Sequence, residues 1–185
     1  MPQTYQFKRA TREDFPLLYG WLSQAAVREF WGDPDRELAL IEEEIDGGDC
    51  NMHIVWGIAD GREAAQPFAF IQDWGPETVD IPHMDDVPTG TRAIDVFLGD
   101  AAFLGQGHAK AFVRQYAELL LANGAARVVS DPECRNARSI AMFKGAGFEQ
   151  GPRRICETGD PVYIMTFKGG DSIAKPQQTP ETDKT

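Results

Sequence analysis

Apolar positions along this chain repeat with two periods, and the places where one gives way to the other outline its elements. From Ile94 to Gly99 the residues are β-branched or aromatic around a single carboxylate, Asp95, and read as strand. Leu104-Gly105-Gln106-Gly107-His108-Ala109 turns the chain. Phe112, Val113, Tyr116, Leu119 and Leu120 then recur at the spacing of one helical face. Asn123-Gly124 offers the left-handed residue that ends such a helix.

The same two periods divide the rest. Tyr5–Ala10 alternates as a first strand, and Thr11-Arg12-Glu13-Asp14 has the form of a capping box. A helical stripe follows through Phe15, Leu18, Trp21, Leu22 and Ala25. Asp33-Pro34 opens a second helix that Gly47-Gly48 ends, with Phe30-Trp31-Gly32 in the connection. Met52–Ala59 and Pro67–Trp74 alternate as a hairpin turned at Asp60-Gly61. Arg127–Ser130 is a strand, Asn136 caps a short helix ended by Gly145 or Gly147, and Glu149–Glu157 and Pro161–Lys168 form a closing pair of strands. The order predicts an α/β (α+β) fold with helices on both faces of one sheet. Residues 1–168 are expected as a single domain. From Gly169 to Thr185 the only large apolar residue is Ile173, so a disordered tail is expected there.

Between the hairpin and the strand at Ile94, the stretch from Asp73 to Asp86 holds Asp73, Glu77, Asp80, Asp85 and Asp86 with no Lys or Arg. Its prolines predict a long loop, either a solvated acidic surface or the rim of a site for a cation. The whole chain of 185 residues carries a formal charge of −11, which argues against nucleic acid and favours cationic partners. Cys50, Cys134 and Cys156 are odd in number and widely spaced, as thiols in a reducing cytoplasm are. No apolar run is long enough to span a bilayer, no signal peptide is evident, and no Cys/His spacing points to a metal. A cytoplasmic protein, monomeric or homodimeric, is expected.

Gly105 and Gly107 have no Cβ, so a bulky ligand can approach the backbone of the turn. The helix behind them presents unpaired amides and the positive end of its dipole, a cradle suited to pyrophosphate. Gly107 and Ala109 also match the cofactor motif Gln/Arg-x-x-Gly-x-Gly/Ala, with Leu104 where Gln or Arg is usual. Asp131-Pro132, Asn136-x-Arg138-Ser139-Ile140 and Phe143-x-x-Ala146-Gly147-Phe148 follow in order. On these residues the stretch from Thr91 to Phe148 resembles the Gcn5-related N-acetyltransferases (GNAT). Within them, Gly90 with Ile94, Asp95, Phe97, Leu98 and Gly99, and Phe30-Trp31-Gly32, resemble the aminoglycoside 6'-N-acetyltransferases.

The resemblance implies a central mixed, mostly antiparallel sheet and transfer of an acetyl group from acetyl-CoA to an amine, most closely aminoglycoside 6'-N-acetylation. It implies that Phe97, Leu98 and Gly99 hold the cofactor's pantetheine arm and polarise its carbonyl. Gly105, Gln106, Gly107, His108 and Ala109 would take the pyrophosphate, with His108 at the motif's wildcard position, and Asn136 and Phe143 would complete the cofactor site. Trp31, Asp73, Trp74, Asp85, Asp86, Asp131 and Asp160 would line a site for a small cationic amine, although Phe30 and Trp31 equally suit a buried corner. Asp95 has two readings. It pairs with an Arg such as Arg92 and orients the strand, or it faces the cleft, holds the ammonium and accepts its proton. Phe143 stands where many relatives have a Tyr, so the proton for the leaving sulfur comes from water or Tyr163, or the thiolate leaves bare. Two other classes remain: a siderophore-biosynthesis acyltransferase acting on an N-hydroxylysine-like substrate, which usually carries His in place of Asp95, and a non-catalytic acyl-CoA-binding module.

Overall fold

The computed structural model describes residues 4–59, 64–78 and 81–169. The Asp60-Gly61 turn, Asp80 and the expected tail from residue 170 onward lie outside the described residues. Among the described residues seven strands form one sheet in the order β1-β2-β3-β4-β5-β7-β6. They are β1 Gln6–Arg9, β2 Asn51–Gly57, β3 Gln66–Trp74, β4 Thr91–Leu98, β5 Arg127–Ser130, β6 Phe148–Ile155 and β7 Pro161–Phe167. Only β4 and β5 run parallel; every other pairing is antiparallel. The helices α1 Phe15–Leu22, α2 Ala25–Trp31 and α3 Pro34–Gly47 cover one face, and α4 His108–Ala122 and α5 Ala137–Ala146 cover the other. Among the described residues no helix is long and apolar enough to cross a membrane.

The two faces bury different residues of the same strands. Ala69, Ile71, Ile94 and Val128 pack with Phe112, Val113 and Tyr116 of α4, whereas Met52, Ile54, Phe70 and Phe97 pack with Leu18, Trp21, Val27 and Ile41. In β2 the expected alternation fails at a register shift between Val55 and Trp56, which leaves Ile54 and Val55 both buried.

The expected stripe through Ala25 is not one helix. The chain leaves helical geometry at Gln24 (ψ 136°), whose side-chain amide donates to Gly99 O at 2.7 Å, and a separate α2 begins at Ala25. Phe30 and Trp31 therefore end a helix instead of lying in a connection, and Gly32 (φ +95°) stops it.

The β4–β5 pairing decides where a site can exist. It runs from Thr91–Arg127 to Ala93–Val129 and stops, while β4 continues along β3 to Leu98. Past Ala93 the two parallel strands diverge, which leaves one edge of β4 unpaired inside the sheet. Gly99 N donates to Phe68 O at 2.8 Å. By the alternation of an antiparallel ladder, the amides of Phe97 and Asp95 also turn to β3, and those of Val96 and Leu98 turn into the gap.

Candidate active site

Two grooves meet at this gap and share Phe30, Trp31, Val96, Asn136 and Ser139. The first, about 370 Å³, is mainly apolar and runs along Phe97 and Leu98 to Gly105, Gly107 and Ala109. At its far end α4 starts from Gly107, held left-handed at φ +82°, with no side chain capping its first amides. Its first turn carries no acidic residue; Lys110 and Arg138 line the groove instead. A helix start that no side chain caps, a positive dipole end and two cations together suit an anion. A Cβ on Gly107 would lie 3.2 Å from Lys110 Cε, in a backbone conformation that side chains rarely adopt.

Several residues expected along this groove are placed otherwise. Gly99 does not line it: its amide is spent on Phe68, and a Cβ there would lie 2.0 Å from the Trp21 ring, so its glycine serves helix packing. The Gln106 side chain turns back to Ala102 O at 2.6 Å. His108 is 3 % exposed, and its ring sits between the Tyr5 hydroxyl at 2.9 Å and Gln106 Oε1 at 3.1 Å, so it builds the wall from behind. Asn136 spends its side-chain oxygen capping α5 through Ser139 N. Phe143 is 2 % exposed and stacks edge-on against Phe148 beneath the second groove. It offers no proton, and Tyr163 packs against the α4-side core and lines neither groove.

The second groove, about 380 Å³, is polar and acidic. Asp95 lies on its wall and accepts hydrogen bonds from Gln72 Nε2 at 3.0 Å and Trp74 Nε1 at 2.8 Å. Burial, reinforced by the charge of Asp131, pushes the Asp95 pKa up to about 6 against the pull of those two donors. It is not the partner of Arg92. That residue instead pairs with Asp73, so the strand-orienting reading belongs to a different carboxylate. Asp131, Glu133, Glu157 and Glu37 share the groove. Burial chiefly raises the Glu37 carboxyl.

Of the expected acidic rim, Asp131 faces this groove and Trp74 reaches it through Asp95, but the others do not. Asp73 belongs to β3, is 1 % exposed and is bound by Arg92, Asn51 and the Tyr116 hydroxyl. Asp85 lines a separate hollow beside Pro76 and Val87, and Asp86 pairs with Arg154 at 2.6 Å. Asp160 accepts from Thr158 Oγ1 in the β6–β7 turn. In the described part of the loop, His83 and Met84 are themselves buried. Sequence reasoning missed Glu37, Glu133, Glu157, Lys110 and Arg138. Arg138 lay in a recognised motif and Lys110 directly follows the glycine turn; the three glutamates come from elements whose meeting depends on strand order.

Residues 10–154 match the acetyltransferase (GNAT) domain family. The chain belongs to the GNAT acetyltransferases. This GNAT domain is 26% identical over 178 residues to the aminoglycoside N(6')-acetyltransferases type 1 of Klebsiella pneumoniae and Serratia marcescens, covering 84% of this chain and 79% of each relative. Its fold matches that of aminoglycoside acetyltransferase AAC(6')-Ib in complex with coenzyme A and kanamycin (TM-score 0.74, 24% identity, 89% of this chain and 95% of that one). The aminoglycoside N(6')acetyltransferase of Legionella pneumophila superposes with a TM-score of 0.71 at 21% identity, over 90% of this chain and 93% of that one.

Proposed function

We propose that this GNAT protein transfers the acetyl group of acetyl-CoA to an amine of a polycationic amino sugar, as an aminoglycoside 6'-N-acetyltransferase does. The observation that carries the reading is the junction of the two grooves at β4. A groove ending in a cationic helix start meets an acidic one, and Asp95 stands on the wall between them. The first groove has the donors for a coenzyme A pyrophosphate in the α4 amides, Lys110 and Arg138. Acetyl-CoA supplies the acyl group as a thioester.

Asp95 holds the incoming ammonium and accepts its proton, which leaves the nitrogen lone pair free to attack. A carboxylate with a pKa of about 6 suits this task better than an ordinary one, because it binds the proton more tightly and is still ionised at neutral pH. The cleft-facing amides of Val96 and Leu98 supply donors for developing oxyanion charge, each worth about 2.7–4 kcal/mol where preorganised. Phe143 offers no proton where a Tyr would, and the sulfur departs as thiolate; a free thiol has a pKa near roughly 8.5. The siderophore-type alternative fits less well, because the acceptor groove has Asp95 among Asp131, Glu133 and Glu157. The test is acetyl-CoA-dependent thiol release against a panel of amines. Turnover is expected with aminoglycosides above simple monoamines, and cofactor binding without turnover on any amine would identify an acyl-CoA-binding module instead.

A further inference from the structure

His83 belongs to the loop before β4, and its ring is buried behind the acceptor groove with only 4 % of the residue exposed. Its Nε2 lies 2.8 Å from Asp131 Oδ2, and its Nδ1 lies 3.4 Å from Glu157 Oε2. Asp131 follows β5 and Glu157 sits in the β6–β7 turn, so one imidazole spans two carboxylates from separate elements, both of which line the groove. Nδ1 is the one buried side-chain polar atom among the described residues without a hydrogen-bond partner. A neutral ring donating through Nε2 would point the Nδ1 lone pair at the Glu157 carboxylate. A protonated ring faces both acids with N–H.

We propose that His83 is a specificity-determining residue of the acceptor groove. When protonated its single positive charge offsets part of the charge of Asp131 and Glu157 from behind, and when neutral it leaves their full charge to a polycationic acceptor. The acceptor's ammonium groups approach the same two carboxylates from the groove side, so they compete with the His83 proton. Coupling of this kind is reciprocal: a cation that displaces the proton binds more weakly when the proton is present.

The charged groups facing the ring are Asp131 after β5, Glu157 in the β6–β7 turn and Arg154 of β6. The hydrogen bond to Asp131 chiefly raises the His83 pKa above its usual value, against the lowering effects of burial and of Arg154. The ring therefore keeps its proton through the pH range where an ordinary histidine loses it, and releases it as pH rises further. Affinity for a polycation then increases across that upper range. Asp95 also titrates, but it faces every acceptor amine alike, so comparing a polyamine with a monoamine cancels its effect.

This proposal rests on the acceptor reading of the groove, and its test separates the two. The imidazole C2 protons of the native protein are followed by NMR across pH, free and saturated with spermidine, whose alkylamines stay protonated over this range. Spermidine is expected to lower the His83 midpoint by about one unit, matched by an approximately tenfold gain in spermidine affinity relative to butylamine between the low and high ends of the titration. In His83→Gln the spermidine-to-butylamine affinity ratio loses this pH dependence. Glu157→Gln changes a side chain that is 58% exposed and so leaves the core intact. It lowers the His83 midpoint even if His83→Gln does not fold. Spermidine binding that leaves the His83 midpoint unmoved, an unaltered pH dependence in His83→Gln, or no midpoint shift in Glu157→Gln would each overturn the proposal alone. No spermidine binding at any pH would overturn the acceptor reading and this inference with it.

Discussion

Asp95 shows how a single carboxylate is tuned by conflicting surroundings. Two donors, Gln72 and Trp74, favour its ionised form, but burial and the neighbouring Asp131 outweigh them and bring its pKa to about 6. Two consequences follow from the sign. The carboxylate exists as a base only above that value, so kcat/KM for an amine is expected to rise through about pH 6. A carboxyl whose pKa is raised from 3.8 in the folded state makes the fold lose stability as pH climbs from near 3.8 to about 6. Asp95→Asn keeps an oxygen for the Gln72 and Trp74 donors and removes the charge. Its turnover should fall about 10²–10⁴-fold, with acetyl-CoA affinity retained and a melting temperature at neutral pH no lower than that of the native protein. Turnover near the native level, or a loss of stability and cofactor affinity together, would return Asp95 to a structural role.

At the scale of elements, the site is held by the turn before α4 and by the clamp between β3 and β4. Gly107 begins α4 in the left-handed region, and Gly107→Val combines backbone strain of about 1–3 kcal/mol with a side chain at the mouth of the anion receptor. A folded Gly107→Val protein should bind acetyl-CoA far more weakly, read by calorimetric titration; unchanged affinity would remove the turn from the cofactor site. The clamp is made of buried Asp73 on β3, partly exposed Arg92 on β4 and the buried Tyr116 hydroxyl on α4. It sits beside Gln72 and Trp74, the residues that orient Asp95. Arg92→Ala leaves Asp73 buried without its counter-charge and should cost about 3 kcal/mol or more in denaturant unfolding. A loss below 1 kcal/mol would mean that Asn51 and Tyr116 suffice.

For the whole molecule, the net charge of −11 matters less than its placement. Glu37, Asp95, Asp131, Glu133 and Glu157 line one groove, while Asp85 and Asp86 sit apart from it. Exposed charges are screened over about 8 Å at physiological ionic strength, so KM for a polycationic amine should climb with salt. Replacing Glu133 and Glu157 with Gln should flatten that climb, and replacing Asp85 and Asp86 with Asn should leave it unaltered. The reverse pattern would place the cation site on the loop instead.

The sequence by itself determined the elements that depend on neighbours along the chain. Alternation marked the strands, and the helical stripe and closing Gly124 marked α4 within a residue or two of its ends. The glycine turn was legible because positive φ and a close backbone approach restrict the residue locally. Asp95 was legible because a lone carboxylate in an apolar strand needs a reason. Tertiary structure decided what those residues meet. The break between α1 and α2 depends on a contact from Gln24 to Gly99, far along the chain. Asp73 and Asp95 are strand carboxylates in adjacent pairs of the β3–β4 ladder, yet one is sealed by Arg92 and the other opens on the groove, because Arg92 reaches only the first. Glu37, Asp131, Glu133 and Glu157 converge because β5 leaves β4 after Ala93 and β7 lies between β5 and β6. Periodicity is a property of adjacent residues, whereas the assembly of an acidic pocket is a property of strand order, which no local spacing records.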